Sequence, residues 1–479
     1  MSNTARPNRR QTLGGLGALA TAGLASRARA ADASVMATLS AYMAGAAARP
    51  LPPAVVEKTK QMILDALAAM ISGSQLSPGR AALSFARANP GERIATIPAS
   101  NLRCGAIEAA LVNGMLAHSD ETDDSHPASS SHPGSSVVPS ALATGERFGI
   151  SGERFLRAVV LGYDVGPRVT MTLGRGAPMR TSHSIAGVFG SAAAAGSAAG
   201  LSAQQMRWLM SYAAQSASGI TSWQRDSEHI EKSFDFAGMP ARSGVTAALL
   251  VHAGATGLDD VFSGASNFFQ AFQAQHDPGT MIDGLGERYE VTRTDVKKWT
   301  VGSPIQAPLD AVLAMLKKER IDADSITRVT VRVATSEATV ADNRDIPDIS
   351  LQHIVAVMLI DGNLTFRSAH DAPRMKDPAV LRLRAKVQLI ADEDLEKLKP
   401  RRAAVVEIVL ADGRTLTERV EAVRGTTFNP MTRDEVITKA RDLIVPVLGE
   451  GKFMKLSRRV FALEDLKTLA ELRPLLQTG

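Results

Sequence analysis

Residues 186–200 read AGVFGSAAAAGSAAG, so most side chains in this stretch are methyl groups, hydroxymethyl groups or single hydrogen atoms. Alanine favours the helix more than any other residue, and small side chains let neighbouring backbones come close. We therefore expect a helix that is surrounded by protein. Downstream, Ser202 and Gln205 form a capping box that predicts the start of the next helix. Upstream, residues 53–72 place apolar side chains on one face at helical spacing, with Gly73 to end the helix.

The helical pattern gives way to strand patterns after about residue 290. Residues 326–335 alternate β-branched apolar and polar side chains, which indicates a half-buried strand. Residues 404–420 read as a hairpin, and the pair Asp412-Gly413 at its centre is typical of a type I′ turn. The second part of the chain is therefore predicted to contain a sheet with helices between its strands.

A third change follows Pro430, where a capped helical pattern returns and continues almost to the end of the chain. The simplest architecture is a mainly α protein with an α+β part. We predict a helical domain built from residues 31–290 together with the C-terminal helices of residues 431–479. A smaller α+β domain, residues 291–430, would interrupt it.

The first thirty residues have the pattern of a targeting signal. A basic start precedes a weakly apolar run over residues 12–25, and a small-x-small cleavage site ends at Ala30. Arg9-Arg10 ahead of that run is the twin-arginine form of the signal. The run is too short and too rich in glycine for a bilayer span of about 20 apolar residues, which argues against a membrane anchor. We predict a signal peptide over residues 1–30 and a periplasmic mature protein without a membrane segment; a disordered basic tail is the alternative.

The charge of the chain gives no reason to expect a nucleic-acid partner. The full chain has a formal net charge of +5 and an isoelectric point near 9.3. The predicted signal contains five arginines and no acidic residue, so the mature chain would be formally neutral. Cys104 is the single cysteine, and an intrachain disulfide is therefore impossible.

Ionisable side chains concentrate in residues 113–134, which read NGMLAHSDETDDSHPASSSHPG and hold three of the nine histidines. The pattern predicts a loop after a helix, and such loops often carry catalytic groups. The histidines favour a functional site over a solvated acidic loop, because imidazole moves protons near neutral pH. A metal site is a second interpretation, although neither an HExxH motif nor a helical spacing supports it. Its ligands would be His118, Asp123, Asp124 and His126.

This segment and several later ones resemble the MmgE/PrpD family. The matching positions are Asn113-Gly114, His118, Glu121, Asp123-Asp124, His132-Pro133, Pro139, Arg180 to His183, Gly187 to Gly190, Lys232, Lys298, residues 356–362 and Asn429-Pro430-Met431. The resemblance covers essentially the whole mature chain in the same order. It implies a large helical domain built from both chain ends, an α+β lid, a homodimer and an active site in the cleft between the two domains.

The same resemblance implies a lyase that removes water, or carbon dioxide, from a small di- or tricarboxylic acid without a cofactor or a metal. Its catalytic positions fall on Glu121, His132 and His183. Its substrate-binding positions fall on Lys232, Lys298, Ser125 and His353. Imidazoles would transfer the protons, and cations would hold the carboxylates and the enolate charge. Without the family, Lys232 would be interpreted as a surface partner of Glu228, and His183 as a core histidine.

Three departures from the family pattern bear on the substrate. Glu121 is one methylene longer than the aspartate usual at this position. Trp299-Thr300 replaces an aromatic-proline pair after Lys298, and His353 replaces a catalytic tyrosine of cis-aconitate decarboxylase. The last change argues against the decarboxylase mechanism, and together the changes suggest that the proton-transfer residues are kept while the substrate differs. The enzyme class that we predict is a hydro-lyase similar to 2-methylcitrate dehydratase.

Three other functions remain open from the sequence. They are an epimerase or isomerase of a dicarboxylate, a metal-dependent hydrolase, and a non-catalytic periplasmic protein that binds carboxylates. The remaining histidines have no motif around them, and we interpret them as structural or surface residues. They are His229, His252, His276 and His370.

Overall fold

The computed structural model describes residues 35–174, 180–274, 276–400 and 402–478. The predicted signal peptide, residues 1–30, lies outside these ranges. The helices of the first part are α1 (residues 35–45), α2 (Pro53–Gly73), α3 (Ser77–Ala88), α4 (Ala106–Ala117), α5 (Gly134–Phe148), α6 (Gly152–Thr172), α7 (Ser182–Ala198), α8 (Ala203–Ser216), α9 (Ile230–Ser233), α10 (Met239–His252) and α11 (Phe268–Ala271). None of the helices in the described ranges is long and apolar enough to cross a bilayer.

The second part mixes helices with a sheet. Its helices are α12 (Gln306–Lys318), α13 (Thr335–Ala341), α14 (Leu351–Asp361), α15 (Phe366–Ala369), α16 (Pro378–Arg384) and α17 (Glu393–Glu396), followed by the C-terminal α18 (Arg433–Leu448), α19 (Glu450–Phe461) and α20 (Arg473–Leu476). The strands are β1 (Ala95–Thr96) and β2 (Arg103–Cys104), which pair within the first part, and then β3 (Ile326–Ala334), β4 (Val387–Asp392), β5 (Ala404–Leu410) and β6 (Thr415–Val420).

A four-stranded mixed sheet organises the second part, in the order β4-β3-β5-β6. Strand β3 runs parallel to β4 and antiparallel to β5, with Val329 opposite Val387 on one side and Ile408 on the other. The predicted hairpin is present as β5 and β6, but its turn is not type I′. A type I′ turn requires a positive φ at both central residues. Gly413 has a φ of +87°, but the φ of Asp412 is not positive. Asp412 thus has the negative φ that an L residue prefers, and of the two central residues only Gly413 adopts a left-handed conformation.

Two apolar cores divide the molecule. Buried apolar residues of the first core come from residues 35–296 and 431–476, and those of the second come from residues 299–423. The C-terminal helices therefore pack with the helical part, as α18 does against α2. The prediction of a mainly α protein with an α+β part is confirmed. We call the regions that these cores define the helical domain and the α+β domain.

The glycine- and alanine-rich stretch forms most of α7, which is buried from Ser184 to Ala198. Its closest neighbour is α6, and glycines lie where the two helices meet. A Cβ added at Gly166 would lie 2.2 Å from the carbonyl oxygen of Ala186, and one at Gly190 would lie 2.8 Å from the oxygen of Gly162. The small residues therefore allow the close backbone approach that the sequence predicted.

Gly166→Ala is expected to lower the free energy of unfolding by about 1–3 kcal/mol, because the added methyl group meets a backbone oxygen that cannot rotate away. Urea unfolding measures the effect. Gly451→Ala in α19 is the matched control, since an added Cβ there meets nothing within 4 Å. The control should be neutral or stabilising by about 0.5–1 kcal/mol. Equal effects of the two substitutions would contradict the close packing of α6 on α7.

Candidate active site

The acidic and histidine-rich loop between α4 and α5 is buried over residues 116–126. A buried loop needs partners for its backbone groups, and two lysines supply them. Lys297 Nζ donates to the carbonyl oxygen of Glu121 at 2.8 Å, and Lys439 Nζ donates to that of Thr122 at 2.9 Å. The alternative of a solvated acidic loop is therefore excluded.

Three histidines from separate segments meet around one aromatic ring. Phe236 lies in a π-helical turn, Phe234–Gly238, and π turns occur often at functional sites. The Phe236 ring stacks on His118 with 4.7 Å between ring centroids, and on His183 with 3.8 Å. The centroid of His132 is 4.9 Å from that of His183. The fold thus gathers the end of α4, the start of α5 and the start of α7 into one imidazole cluster.

Asp123 connects two of these imidazoles. Its Oδ2 lies 2.9 Å from His118 Nδ1 in a hydrogen bond. Its Oδ1 lies 3.3 Å from His132 Nδ1, without hydrogen-bond geometry, and 3.4 Å from Lys297 Nζ. Burial by itself would raise the pKa of Asp123, but the two histidines and Lys297 outweigh it and hold this pKa well below its ordinary value. Asp123 is therefore an anion at neutral pH.

Glu121 forms the second acidic centre. Its carboxylate makes a short ion pair with Lys232 and lies 3.8 Å from Lys297 Nζ. Burial would raise the pKa of Glu121, but the two lysines outweigh it and keep this pKa well below its ordinary value. Lys232 Nζ also lies 5.3 Å from the ring centroid of Trp223 and 5.1 Å from that of Phe236. The charge of Lys232 is thus balanced by Glu121 and not by the neighbouring surface acid.

Burial keeps three imidazoles of the site, His132, His183 and His229, neutral. Desolvation lowers the pKa of His132 to about 4, because the opposing effect of Asp123 is smaller. Desolvation, together with His132, holds the pKa of His183 well below its ordinary value. His229 is held well below its ordinary pKa by desolvation and then by Lys232. At pH 7 each of these three rings therefore has one unprotonated nitrogen that can accept a proton and one N–H that can donate a hydrogen bond.

A cavity of about 1190 Å³ lies between the helical and α+β domains, and His132 and His183 are on its wall. The helical domain contributes Ser125, Ser129, Ser130, Ser131, Thr170, Met171, Arg180 and Ser182, among others. The α+β domain contributes Ser303, Ser336, Glu396, Lys399, Pro400 and Arg402. This is a size and a position typical of small-molecule sites, which form preferentially between domains.

The structure brings together five of the residues that the sequence singled out. Glu121, His132, His183 and Lys232 belong to the cluster around the shared aromatic ring. Of these four, His132 and His183 line the cavity, and Glu121 and Lys232 do not. Ser125 lines the cavity itself. Its backbone forms an isolated bridge to residue 295, which holds the middle of the loop.

The structure places Lys298 and His353 elsewhere. Lys298 Nζ forms an ion pair with Asp310 at 2.9 Å and lies over the ring of Trp299. His353 is buried in α14, and neither of its ring nitrogens has a partner within the described part of the chain. Neither residue lines the cavity. The argument from His353 against a decarboxylase mechanism therefore loses its geometric basis.

Sequence reasoning missed several residues of the site. Lys297 is buried between Glu121 and Asp123, whereas the resemblance pointed to its neighbour. His229 lies 5.2 Å from His118 between ring centroids, although no motif surrounds it. The positive φ of His229, +63°, is not visible in a sequence. The adjacent pair Lys297-Lys298 indicated that one lysine faces the site, but only the packing shows that it is Lys297.

Two of the four residues proposed as metal ligands have structural roles. Tyr163 donates its hydroxyl proton to Asp124 at 2.5 Å, and the amide of Gly134 donates to the same carboxylate. His126 Nε2 lies 3.2 Å from Glu290 Oε2 in a buried pair. The predicted set of four ligands is therefore not formed.

A different triplet has the spacing for a metal ion. His118, Asp123 and His132 each offer one ligand atom, and these atoms lie within 4.8 Å of one another. Lys297 Nζ is 3.4 Å from Asp123, however, and an ammonium group at that distance repels a cation. The electrostatics of the triplet thus favour its function as an imidazole-carboxylate network.

A charged histidine joins the α+β domain to the buried loop. His370 Nε2 lies 2.9 Å from Asp120 of the loop and 3.7 Å from Asp348 of its own domain. Burial alone would lower the pKa of His370, but the two carboxylates outweigh it and raise this pKa to about 9. The sequence had marked His370 only as a structural or surface residue.

The His370 pair is expected to stabilise the protein below pH 6.5 and to lose that effect as the pH rises through about 9, because a raised pKa means that the folded state holds the proton more tightly. Unfolding by urea at pH 6 and at pH 10 tests this. His370→Gln should lower the free energy of unfolding by on the order of 2–3 kcal/mol at pH 6, with a much smaller loss at pH 10. His252→Gln on the exposed end of α10 is the control. A loss for His370→Gln that is independent of pH would show that the side chain acts by packing alone.

Comparison with known proteins gives a consistent result over nearly the whole chain. Residues 37–281 match the MmgE/PrpD N-terminal domain, and residues 299–461 match the MmgE/PrpD C-terminal domain. The cis-aconitate decarboxylase-like protein oryM of Aspergillus oryzae is 25% identical over 458 residues, covering 89% of this chain and 94% of the relative. Cis-aconitate decarboxylase of Homo sapiens is 26% identical over 448 residues, covering 88% and 90%. The enzyme of that name from Mus musculus is 27% identical over 454 residues, covering 89% and 90%.

Proposed function

The chain belongs to the MmgE/PrpD family, and from this premise we propose that it is a lyase acting on a small tricarboxylic acid. The observation that carries the proposal is the pair of neutral imidazoles, His132 and His183, on the wall of the cavity between the two domains. The names of the relatives support the substrate class. A lyase of this kind needs groups that move protons at a carbon next to a carboxylate, and imidazoles do so near neutral pH.

We assign the role of general base to His132. Its low pKa leaves the ring free to accept a proton from the substrate carbon. The Asp123 carboxylate, 3.3 Å from Nδ1, stabilises the imidazolium that forms. Lys297 and His118 keep Asp123 ionised. The negative charge that stabilises the imidazolium in the transition state is therefore in place before the reaction begins.

His183 has a different environment and therefore a different role. No carboxylate lies within ion-pair distance of its ring in the described chain, and its Nδ1 is buried without a partner. A neutral imidazole in this position donates an N–H hydrogen bond to the oxygen on which negative charge develops, as a polarising group. The stacked ring of Phe236 holds its plane in place.

The neutral resting state favours a reaction that begins with removal of a proton. This supports the finer proposal of a hydro-lyase similar to 2-methylcitrate dehydratase, in which the C–H and C–O bonds break, a C=C bond forms, and the proton taken up by His132 leaves with the hydroxyl group as water. Decarboxylation is the second candidate, and the names of the relatives favour it. That reaction consumes a proton, so His132 would have to be protonated before or during substrate binding. A tricarboxylate would help, because its negative charge raises the pKa of a nearby imidazole.

The test is a panel of citrate, 2-methylcitrate, cis-aconitate and iminodisuccinate, incubated with the purified chain in buffer that contains EDTA. Absorbance of a new conjugated double bond reports loss of water, and trapped carbon dioxide reports decarboxylation. Deuterium uptake from heavy water reports removal of a carbon-bound proton from an acid that loses neither water nor carbon dioxide. The same panel with added Mn²⁺, Fe²⁺ or Zn²⁺ tests the metal alternative.

Each outcome selects a function. Turnover in EDTA with either of the first two signals supports a lyase and identifies its reaction. Deuterium uptake alone identifies an epimerase or isomerase. Activity only after metal addition would assign the His118, Asp123 and His132 triplet to a metal. If none of the assays gave a signal, the proposal of a lyase would fail, and a protein that binds carboxylates without turnover would be the remaining interpretation.

The pH profile of kcat/KM is expected to fall on the acid side near pH 4 and not near pH 6.5, because kcat/KM reports the free enzyme and burial lowers the pKa of His132 to about 4. The measurement is the initial rate at low substrate concentration between pH 3.5 and 8. Circular dichroism at each pH controls for acid unfolding. An inflection close to pH 6.5 in a folded protein, after correction for the separately titrated carboxyl groups of the substrate, would show that another group is the base.

Two further predictions from the sequence are retained as proposals. We propose that the protein is exported through the twin-arginine signal of residues 1–30, and that it works as a homodimer. Cell fractionation of the full chain against a variant with Arg9→Lys and Arg10→Lys tests export. Light scattering during gel filtration tests the dimer, and a single species at 50.7 kDa or less would refute it.

A further inference from the structure

Arg180 is a cation at the cavity wall whose charge has no acidic partner within the described chain. Its guanidinium lies over the ring of Phe272, with 4.5 Å from Cζ to the centroid, and Nη2 donates to the carbonyl oxygen of Ala271 at 3.4 Å. Nη1 is buried and has no hydrogen-bond acceptor among the described residues. A buried donor without an acceptor is costly, so the site gains free energy when an acceptor arrives. The planar guanidinium is suited to bind a carboxylate through two parallel hydrogen bonds.

Arg402 presents a second guanidinium to the same cavity from the α+β domain. Its Nη2 donates to Ser125 Oγ at the long distance of 3.5 Å, and its Nη1 is 3.9 Å from Glu337 Oε1. Burial raises the pKa of Glu337 and Arg402 opposes this shift; burial also raises the pKa of Asp295, to about 6, and Arg402 again opposes it. Both contacts are loose enough for a substrate oxygen to replace or join them.

Among the described residues that line the cavity, a third cation, Lys399, differs from these two. Lys399 Nζ lies 3.4 Å from Glu396, which also lines the cavity, and it contacts Ser336 as well. Its charge is therefore balanced inside the protein. Among the described lining residues, the cations with the fewest close acidic partners are therefore Arg180 of the helical domain and Arg402 of the α+β domain, and the imidazoles of His132 and His183 lie on the same wall.

We propose that Arg180 and Arg402 each bind one carboxylate of the same substrate, so that a polycarboxylate bridges the helical and α+β domains. This rests on the proposed lyase function and specifies its substrate class: the acid carries at least two carboxylates besides the reacting centre. The two arginines are substrate-binding residues and take no part in proton transfer. A monocarboxylate would satisfy one guanidinium and leave the other unpaired.

Isothermal titration calorimetry with tricarballylate tests the bridge without requiring turnover, because this saturated tricarboxylate has no hydroxyl group to eliminate. Arg180→Gln and Arg402→Gln are each expected to raise its Kd by about 10–100-fold, as expected for losing hydrogen bonds between charged groups. Lysine at either position keeps the charge but not the two parallel hydrogen bonds, and should give an intermediate Kd. Butyrate, with a single carboxylate, should bind far more weakly than tricarballylate to the unsubstituted protein.

Matched controls come from surface arginines of the same two domains. Arg147→Gln, which removes a surface pair with Glu92, and Arg414→Gln, at the hairpin, should leave the Kd unchanged. Thermal unfolding of each variant verifies that it is folded, and the lysine variants provide a second route if a glutamine variant is not.

The outcomes separate this proposal from the lyase proposal. Unchanged binding in both glutamine variants would overturn the bridge, and so would a failure of the unsubstituted protein to bind tricarballylate at millimolar concentration. Arginine-dependent binding without turnover of any acid in the panel would leave the bridge standing and refute the lyase. Turnover together with a Kd that depends on only one arginine would reduce the site to a single carboxylate contact and refute the bridge.

Discussion

His183→Ala is expected to lower kcat by about 10²–10⁴-fold, and His132→Ala by a comparable factor, because each removes one proton-transferring or polarising group from the transition state. The two rings lie 4.9 Å apart between centroids on the wall of the interdomain cavity. They act on the same reacting centre in the proposed mechanism, so the double variant should lose less than the product of the two single factors. Steady-state rates on the acid that the panel identifies give these values.

Two exposed histidines serve as controls for this prediction. His252→Ala and His276→Ala remove imidazoles outside the cavity and should keep kcat within about twofold of the original, since surface substitutions change little. Thermal melting must show that the His183 variant remains folded, because the stacking on Phe236 also contributes packing. A folded His183→Ala variant with near-normal kcat would show that the imidazole cluster is structural.

Lys297→Met is expected to lower the free energy of unfolding by about 3 kcal/mol, because it leaves buried acids with fewer cationic partners. Lys297 Nζ is 3.4 Å from Asp123, 3.8 Å from Glu121 and 2.8 Å from the carbonyl oxygen of Glu121. Methionine fills a similar volume, so the loss reports charge and hydrogen bonding more than a cavity. Lys232 and the histidines still face the two acids, which sets the effect at the lower end of the range for a broken buried pair. Chemical denaturation at pH 7 measures it.

The adjacent residue supplies the control. Lys298→Met removes a partly exposed cation whose partner, Asp310, also accepts hydrogen bonds from the indole of Trp299 and the amide of Arg424. Its cost should be about 1 kcal/mol or less. If Lys298→Met were the more damaging of the two substitutions, the assignment of the inner lysine to position 297 would be wrong.

The local patterns of the sequence were sufficient to predict the main helices, the strands of the α+β part and the family. Capping boxes at Ser202 and Thr432 are formed as written, because a cap depends on residues within one helical turn. The run of small residues in α7 is buried, as its composition indicated. A helix surface made of small side chains is stabilised when neighbouring helices pack closely against it. The hairpin occurs where it was predicted, but its turn type was wrong because Asp412 avoids a positive φ.

The site was predictable where it lies on one segment or on a motif of the family. Residues 113–134 concentrate the acids and histidines, so the loop could be identified before its structure was known. His132, His183 and Lys232 follow from the resemblance, and the fold brings their segments to one aromatic ring. The sequence by itself thus determined the fold class, the family and the loop at the centre of the candidate site.

Tertiary structure alone decided which side chain of each segment reaches the site. Between Lys297 and Lys298, the packing of an irregular segment turns one lysine toward Glu121 and the other toward Asp310, and no sequence periodicity distinguishes them. His353, which the resemblance placed in the site, is buried away from the cavity, whereas Arg402, which no sequence pattern marked, lines it. The low pKa of His132 is equally a product of the fold, because burial and the charges of distant segments set it. Local propensity acts over a few residues, whereas desolvation and ion pairing depend on which segments meet, and only the folded chain determines that.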